Sequence, residues 1–180
     1  MHSTAWPAIL LAALLAFGPA ASFAATRQVD RTAAETAAQL TALSPRVSYA
    51  EARQLAALAH ATSYQLRRDY RLLGSPHFDN FLVNAGVMKR GLCHHWARDL
   101  GERLAPLKLR TLQLRWGIAR RGTLREHSSV VVTARGQPFA RGVVLDPWRH
   151  SGRLFAGPVS GDKYPWEEDR SETFVSARGR

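Results

Sequence analysis

The chain has 180 residues, one cysteine and a formal net charge of +11, and 46% of its residues are hydrophobic. An apolar fraction of this size is typical of a globular protein and excludes a disordered chain or a bundle of membrane helices. The positive charge is spread along the chain without a basic arm, a zinc pattern or an aromatic RNA-binding signature. We therefore expect no nucleic-acid partner, whereas an acidic polymer or an anionic surface remains a possible one.

The N-terminus has the features of a secretory signal peptide. Residues 1–25 contain no Asp, Glu, Lys or Arg, the stretch from Ala8 to Phe17 is continuously apolar, and Ser22-Phe23-Ala24 places small residues at a cleavage site. We predict a signal peptide over residues 1–24 and a periplasmic or secreted mature protein. An uncleaved anchor is the alternative, because the uncharged sequence begins at the N-terminus itself.

Helical patterns come first in the mature chain, in a segment predicted to span residues 25–75. Thr32 to Leu43 is rich in alanine and precedes Ser44-Pro45, which indicates a helix that ends there. Ser48-Tyr49-Ala50-Glu51 is a capping box that opens a helix through about Ala61. Ser63 to Leu73 then continues that helix or forms a short separate one before Gly74-Ser75-Pro76.

The predicted core, residues 76–180, changes from helical to strand periodicity. Asp79 or Asn80 is expected to cap a short helix from Phe81 to Met88, and a second helix runs from about Cys93 to Leu104. Strands follow at Leu112 to Ile118, where apolar and polar residues alternate, at His127 to Ala134 and at Gly142 to Leu145. The tail after Gly152 is expected to have little regular structure. This order predicts an α+β fold in which N-terminal helices pack on a small antiparallel β-sheet.

Three residues have the chemistry of a nucleophilic cysteine site. Cys93 is expected at a helix N-terminus, where free N–H groups and the helix dipole favour a thiolate and where its own amide can bind an oxyanion. His127 begins one strand and Asp146 ends the next. If those strands pair antiparallel, His127 lies near Asp146. Since a single cysteine cannot form an internal disulfide, Cys93 is expected to be a free thiol, an intermolecular half-cystine or a buried apolar residue.

These residues resemble the three core motifs of the transglutaminase-like, papain-like cysteine peptidases and acyltransferases. The motifs are Gly91-Leu92-Cys93-His94-His95-Trp96-Ala97, His127 before Val130-Val131-Val132, and Leu145-Asp146-Pro147, and together they cover about residues 78–150. The resemblance implies Cys93 as nucleophile, His127 as general base and acid, and Asp146 as the carboxylate that orients it. It also implies a protein or peptide substrate in the cell envelope.

Other residues are candidates for supporting roles. No Gln precedes Cys93 at the papain-like spacing, so Asn84 and Asn80 are both open as the second oxyanion donor. Candidates for lining the cleft are His94, Trp96 and Trp148, although core packing is the commoner role of a tryptophan. A zinc site built from Cys93 and nearby histidines is disfavoured, since adjacent residues rarely converge on one metal. We expect no metal and no cofactor.

Two further groups are interpreted as surface features. His60, His77 and His150 are expected to be exposed. The acidic group in the tail lacks the pattern of a calcium loop and is interpreted as a solvated run of charge. Its members are Asp162, Glu167, Glu168 and Asp169.

The sequence thus predicts an exported cysteine enzyme that hydrolyses or transfers an amide acyl group through a thioester on Cys93. The acyl group would come from a peptide bond or a glutamine side chain. The alternative is a non-catalytic module of the same fold that binds a component of the envelope.

Overall fold

The computed structural model describes residues 32–72 and 74–174. The predicted signal peptide and its cleavage site lie outside the described residues. Within the described part, helices precede an antiparallel sheet, so the α+β class is confirmed. None of its helices is long and apolar enough to cross a membrane.

Helices make up the first half of the described chain. Residues 32–41 are helical (α1), and α2 spans Tyr49–Asp69, α3 Pro76–Asn84 and α4 Cys93–Leu104. The side chain of Ser48 caps α2 by accepting the backbone N–H of Glu51. The Glu51 carboxylate does not close the expected capping box. It accepts the backbone N–H groups of Thr111 and Leu112 instead, which ties the first turn of α2 to the start of the sheet.

The sheet has five strands in the order β4-β3-β2-β1-β5, and every neighbouring pair is antiparallel. A short 3₁₀ turn at Ala105–Leu107 leads from α4 to β1, and another at Phe139–Arg141 leads from β2 to β3. The strands are β1 Leu112–Ala119, β2 His127–Ala134, β3 Val143–Asp146, β4 Phe155–Pro158 and β5 Trp166–Glu168.

Both faces of the sheet are covered, which explains why every residue of β2 is buried. Val130 and Val132 belong to the main core, formed with residues of α1, α2 and α4. Val131 and Val144 pack instead with aromatic residues of the C-terminal tail. The helical residues before position 72 therefore share one core with the sheet.

Two local expectations were wrong. The helix expected from Phe81 to Met88 begins at Pro76, because Ser75 caps it by accepting the backbone N–H of Phe78 and Pro76 occupies the first turn. The tail was expected to be largely irregular, but it contributes the two edge strands β4 and β5.

Candidate active site

Cys93 is the first residue of α4, and the turn before it is held by the helix itself. Gly91 has a φ of 147°, in the region that favours glycine. Its N–H donates to Nδ1 of His95 at 3.3 Å, and its carbonyl accepts the indole N–H of Trp96 at 3.1 Å. Leu92, the N-cap residue, gives no side-chain hydrogen bond. The N-terminus of α4 is therefore fixed in position while its first N–H groups lack a side-chain cap.

His127 and Asp146 meet where β2 begins and β3 ends. The register pairs Val130 with Leu145, which places the end of β3 beside the start of β2. Nε2 of His127 lies 2.7 Å from Oδ2 of Asp146, and their side chains are 3% and 0% exposed. The antiparallel pairing thus brings together the imidazole and the carboxylate.

Cys93, at the N-terminus of α4, lies close to the start of β2. The thiol of Cys93 donates to the backbone carbonyl of Glu126, the residue before His127, over 3.7 Å. Nδ1 of His127 is buried and makes no hydrogen bond to any described residue. Burial alone would lower the pKa of His127, but the hydrogen bond to Asp146 and the interaction with Cys93 raise it to about 9. The imidazole therefore interacts with the carboxylate through Nε2, and Nδ1 remains for a proton from the thiol.

The Asp146 carboxylate is fully buried and held on both oxygens. Its Oδ1 accepts the backbone N–H groups of Trp148 and Arg149, each at 3.1 Å, and its Oδ2 accepts Nε of Arg149 at 3.1 Å as well as His127. Burial raises the pKa of Asp146, but its bonds to His127 and Arg149 outweigh this effect and leave the pKa lowered. Asp146 is thus held ionised and correctly aimed at His127.

A second ion pair lies behind Asp146. The guanidinium of Arg149 donates to both carboxylate oxygens of Asp162, at 3.0 and 2.7 Å, and the indole N–H of Trp166 donates to Asp162 at 2.8 Å. The side chains of Arg149 and Asp162 are 7% and 3% exposed. Three of the four acidic residues of the tail are therefore not solvated charges, whereas Glu167 is exposed as expected. Asp162 pairs with Arg149, Glu168 with Arg115, and Asp169 with Arg121.

Aromatic rings enclose the imidazole. The ring centroid of His127 lies 4.7 Å from that of Trp148, 4.6 Å from Tyr164 and 5.3 Å from Trp166. Tyr164 and Trp166 are not among the predicted site residues. No local pattern marks them as neighbours of His127, because the contact depends on the tail folding back over the sheet.

An open cleft of about 480 Å³ gives access to the site. Its walls come from α3, the start of α4, the loop before β2 and the tail. The residues that line it include Asn80, Cys93, Arg120, Leu124, Arg125, Glu126, His127, Trp148 and Tyr164.

The supporting candidates divide into those in the cleft and those outside it. Asn80 lines the cleft, and its Oδ1 accepts the indole N–H of Trp148 at 3.1 Å, which leaves its amide N–H groups as donors. Asn84 and His94 are exposed and do not line the cleft. Trp96 is 1% exposed and packs in the core against Tyr70. Of the three cleft-lining candidates, Trp148 alone lies at the cleft.

The expectation that His60 is exposed was wrong, because its side chain is buried. Its Nε2 lies 2.9 Å from Oγ1 of Thr36, between α1 and α2. Over residues 32–72 and 74–174, no group of three or more His, Cys, Asp or Glu side chains is arranged to hold a metal ion.

Comparisons with protein-family models, with curated proteins and with solved structures find no match to this chain.

Proposed function

We propose that this protein is an exported cysteine enzyme of the transglutaminase-like type, which hydrolyses or transfers an amide acyl group through a thioester on Cys93. The observation that carries the proposal is the arrangement around His127. Asp146 holds one ring nitrogen, the other is buried without a hydrogen bond to any described residue, and Cys93 and His127 line the same open cleft. These are the parts of a nucleophile, a base and an orienting group.

The first half of the reaction forms the thioester. His127 takes the proton of Cys93 on Nδ1, and the thiolate attacks the carbonyl carbon of a peptide bond or a glutamine side chain. The oxyanion that develops is bound by the backbone N–H of Cys93 and by the amide of Asn80. His127 then donates its proton to the leaving nitrogen, the C–N bond breaks, and an amine or ammonia departs.

The second half releases the acyl group. Water or a second amine attacks the thioester carbon while His127 takes its proton. The C–S bond breaks, and the proton returns to the sulfur to regenerate the Cys93 thiol. Water gives a carboxylic acid and an amine gives a new amide, so the same residues serve hydrolysis and transfer.

A simple acyl donor tests the proposal without knowledge of the natural substrate. We expect 4-nitrophenyl acetate to give a burst of nitrophenolate equal to the enzyme concentration and one acetyl group on Cys93 in the intact mass. Cys93→Ala should abolish the burst. His127→Ala should slow it by about 10²- to 10⁴-fold, since general acid–base catalysis contributes about that much. His150→Ala, at an exposed histidine outside the cleft, is the matched control.

Amide donors then separate an enzyme from a binding module. Glutamine-containing N,N-dimethylcasein is supplied with dansylcadaverine, and ammonia release and dansyl incorporation are followed together with peptide cleavage. Any of the three products that disappears in both Cys93→Ala and His127→Ala supports the proposal. Acetylation of Cys93 at the same rate in His127→Ala as in the unmodified protein would refute it and leave the binding module.

A further inference from the structure

The loop between β1 and β2, residues 120–126, forms one wall of the cleft. Arg120, Leu124, Arg125 and Glu126 from this loop line the same cleft as Cys93. All four are exposed, and the side chain of Leu124 is fully accessible to solvent. The loop is therefore the part of the protein that presents side chains to whatever approaches the thiol.

Internal hydrogen bonds hold the backbone of this loop. Oγ1 of Thr123 donates to the carbonyl of Arg120 at 2.8 Å and accepts the N–H of Arg125 at 3.2 Å. The N–H of Gly122 donates to the carboxylate of Glu126 at 2.7 Å. The loop is thus shaped by its own groups, and the two arginine side chains are not used to build it.

Arg120 and Arg125 have no carboxylate partner among the described residues, although many arginines of this protein do. Their neighbour Arg121 pairs with Asp169 at 2.9 Å, and neither residue lines the cleft. Arg120 lies over the ring of Tyr164 at 5.5 Å, and that ring lies 4.6 Å from His127. The Tyr164 ring therefore lies near both the Arg120 guanidinium and the imidazole of the site.

The charge of the cleft is positive at this wall. Glu126 is the acidic residue of the lining, and its carboxylate already accepts the N–H of Gly122. The same lining contains two cations, Arg120 and Arg125. Unpaired guanidinium groups bind carboxylates through two parallel hydrogen bonds, which favours an anionic group in the substrate.

We propose that the cleft selects acyl donors that carry a carboxylate beside the amide attacked by Cys93, namely peptide segments with Asp or Glu at an adjacent position. The proposal deepens the proposed function and rests on it for the identity of the reacting amide. A short peptide suits a cleft of about 480 Å³. Leu124, which is exposed between the two arginines in the loop, offers the peptide an apolar contact as well.

The first experiment measures the electrostatics of the cleft and does not need catalysis. Iodoacetate and iodoacetamide alkylate the same thiol and differ by one negative charge, so the ratio of their rate constants reports the local potential. We expect the double variant Arg120→Gln/Arg125→Gln to lower this ratio by about fivefold to tenfold, with little change in the iodoacetamide rate. Arg121→Gln, in the same loop, should leave the ratio unchanged.

The second experiment tests peptide selection by binding. Cys93→Ala protein is titrated with dansylated, capped Gly-Ala-Glu-Gln-Ala-Gly and Gly-Ala-Gln-Gln-Ala-Gly, and anisotropy gives the two dissociation constants. We expect the Glu peptide to bind about fivefold or more tightly, and the preference to vanish when Arg120→Gln and Arg125→Gln are added. Raising the salt concentration should weaken the preference in the same way.

The outcomes separate this inference from the proposed function. An unchanged alkylation ratio in the double variant, or equal binding of the two peptides, overturns the inference. Binding of inorganic polyphosphate that depends on both arginines, without a preference for the Glu peptide, also overturns it in favour of a polymer site. In a third outcome, the double variant lowers the alkylation ratio and the Glu peptide binds more tightly, but no acetyl-enzyme forms. This outcome would overturn the proposed function and leave a cleft that binds acidic peptides.

Discussion

At the scale of single residues, Asp146 controls the protonation of His127. The carboxylate raises the pKa of His127 to about 9 against the effect of burial, together with Cys93. In Asp146→Asn the negative charge is lost, so we expect this pKa to fall, because only the interaction with Cys93 then opposes the effect of burial. Titration of the imidazole ¹⁵N signals in the two proteins measures the change directly.

The same substitution has a kinetic consequence. His127 must be protonated to give its proton to the leaving amine, so the acylation rate of the unmodified protein should decline only above about pH 9. In Asp146→Asn the decline should begin at a lower pH, and the plateau rate should fall by about 10²- to 10⁴-fold. A decline near pH 9 in both proteins would show that Asp146 does not control His127.

At the scale of elements, the N-terminus of α4 lacks a cap, unlike α2 and α3, which use Ser48 and Ser75. Leu92 has φ −67° and ψ 151°, which a capping residue adopts readily. We expect Leu92→Asp to stabilise the protein by about 0.5–1 kcal/mol in urea unfolding. It should slow alkylation of Cys93 by iodoacetamide, because the added carboxylate competes with the thiolate for the free N–H groups.

Leu92→Asn is the control for this substitution. Asn caps a helix about as well as Asp but carries no charge. It should therefore give a similar gain in stability with a smaller loss of alkylation rate. Equal rates in all three proteins would show that the end of the helix has no influence on the thiol.

The ion pair between Arg149 and Asp162 fastens the segment before β5 to the end of β3. Both side chains are nearly inaccessible. Arg149→Gln leaves Asp162 buried without its counter-charge, so we expect it to lower the free energy of unfolding by about 3–5 kcal/mol. Asp162→Asn should cost less, because Arg149 keeps its pairing with Asp146. The double variant should lose less than the sum of the two, with a coupling of about 1–3 kcal/mol.

The functional consequence should differ between the two single variants. Arg149 donates to Asp146 as well as to Asp162, whereas Asp162 accepts from Arg149 and is linked to Asp146 through it. Arg149→Gln should therefore change the pKa of His127 more than Asp162→Asn does. An equal effect of both on the His127 titration would mean that Arg149 acts only by fastening the tail.

The sequence predicted those elements whose structure depends on residues close together in the chain. The alternation of apolar and polar residues predicted β1 from Leu112. The position of His127 near Asp146 could also be predicted, because strands adjacent in the chain pair antiparallel and bring the start of one beside the end of the next. Asp162 and Tyr164 could not be placed in this way. They lie in a tail without periodicity, and their partners Arg149 and His127 are chosen by packing across the sheet.

The start of α3 was missed for a different reason. A sufficient local signal exists, since Ser75 followed by Pro76 is the usual pairing of an N-cap with the first helical residue. However, Gly74-Ser75-Pro76 also has the composition of a helix breaker, which favours the end of the preceding helix. A Ser-Pro pair after a glycine can therefore start a helix as well as separate two of them.

At the scale of the whole molecule, His60 and His127 give the stability opposite dependences on pH. Burial lowers the pKa of His60 below its ordinary 6.5. The unfolded state then binds the extra proton, so stability is lost as the pH falls below 6.5. The pKa of His127 is raised to about 9, so its contribution is fully present below pH 6.5 and is lost as the pH rises through 9.

Because α1, α2 and the sheet share one core, both histidines act on a single unfolding transition. We expect urea unfolding to give a maximum of stability near neutral pH. His60→Gln should flatten the acidic side below pH 6.5 and leave the alkaline side unchanged, whereas His127→Gln should flatten the alkaline side only. If His60→Gln leaves the acidic slope intact, the buried contact with Thr36 does not set it, and carboxylates such as Asp146 must account for the loss.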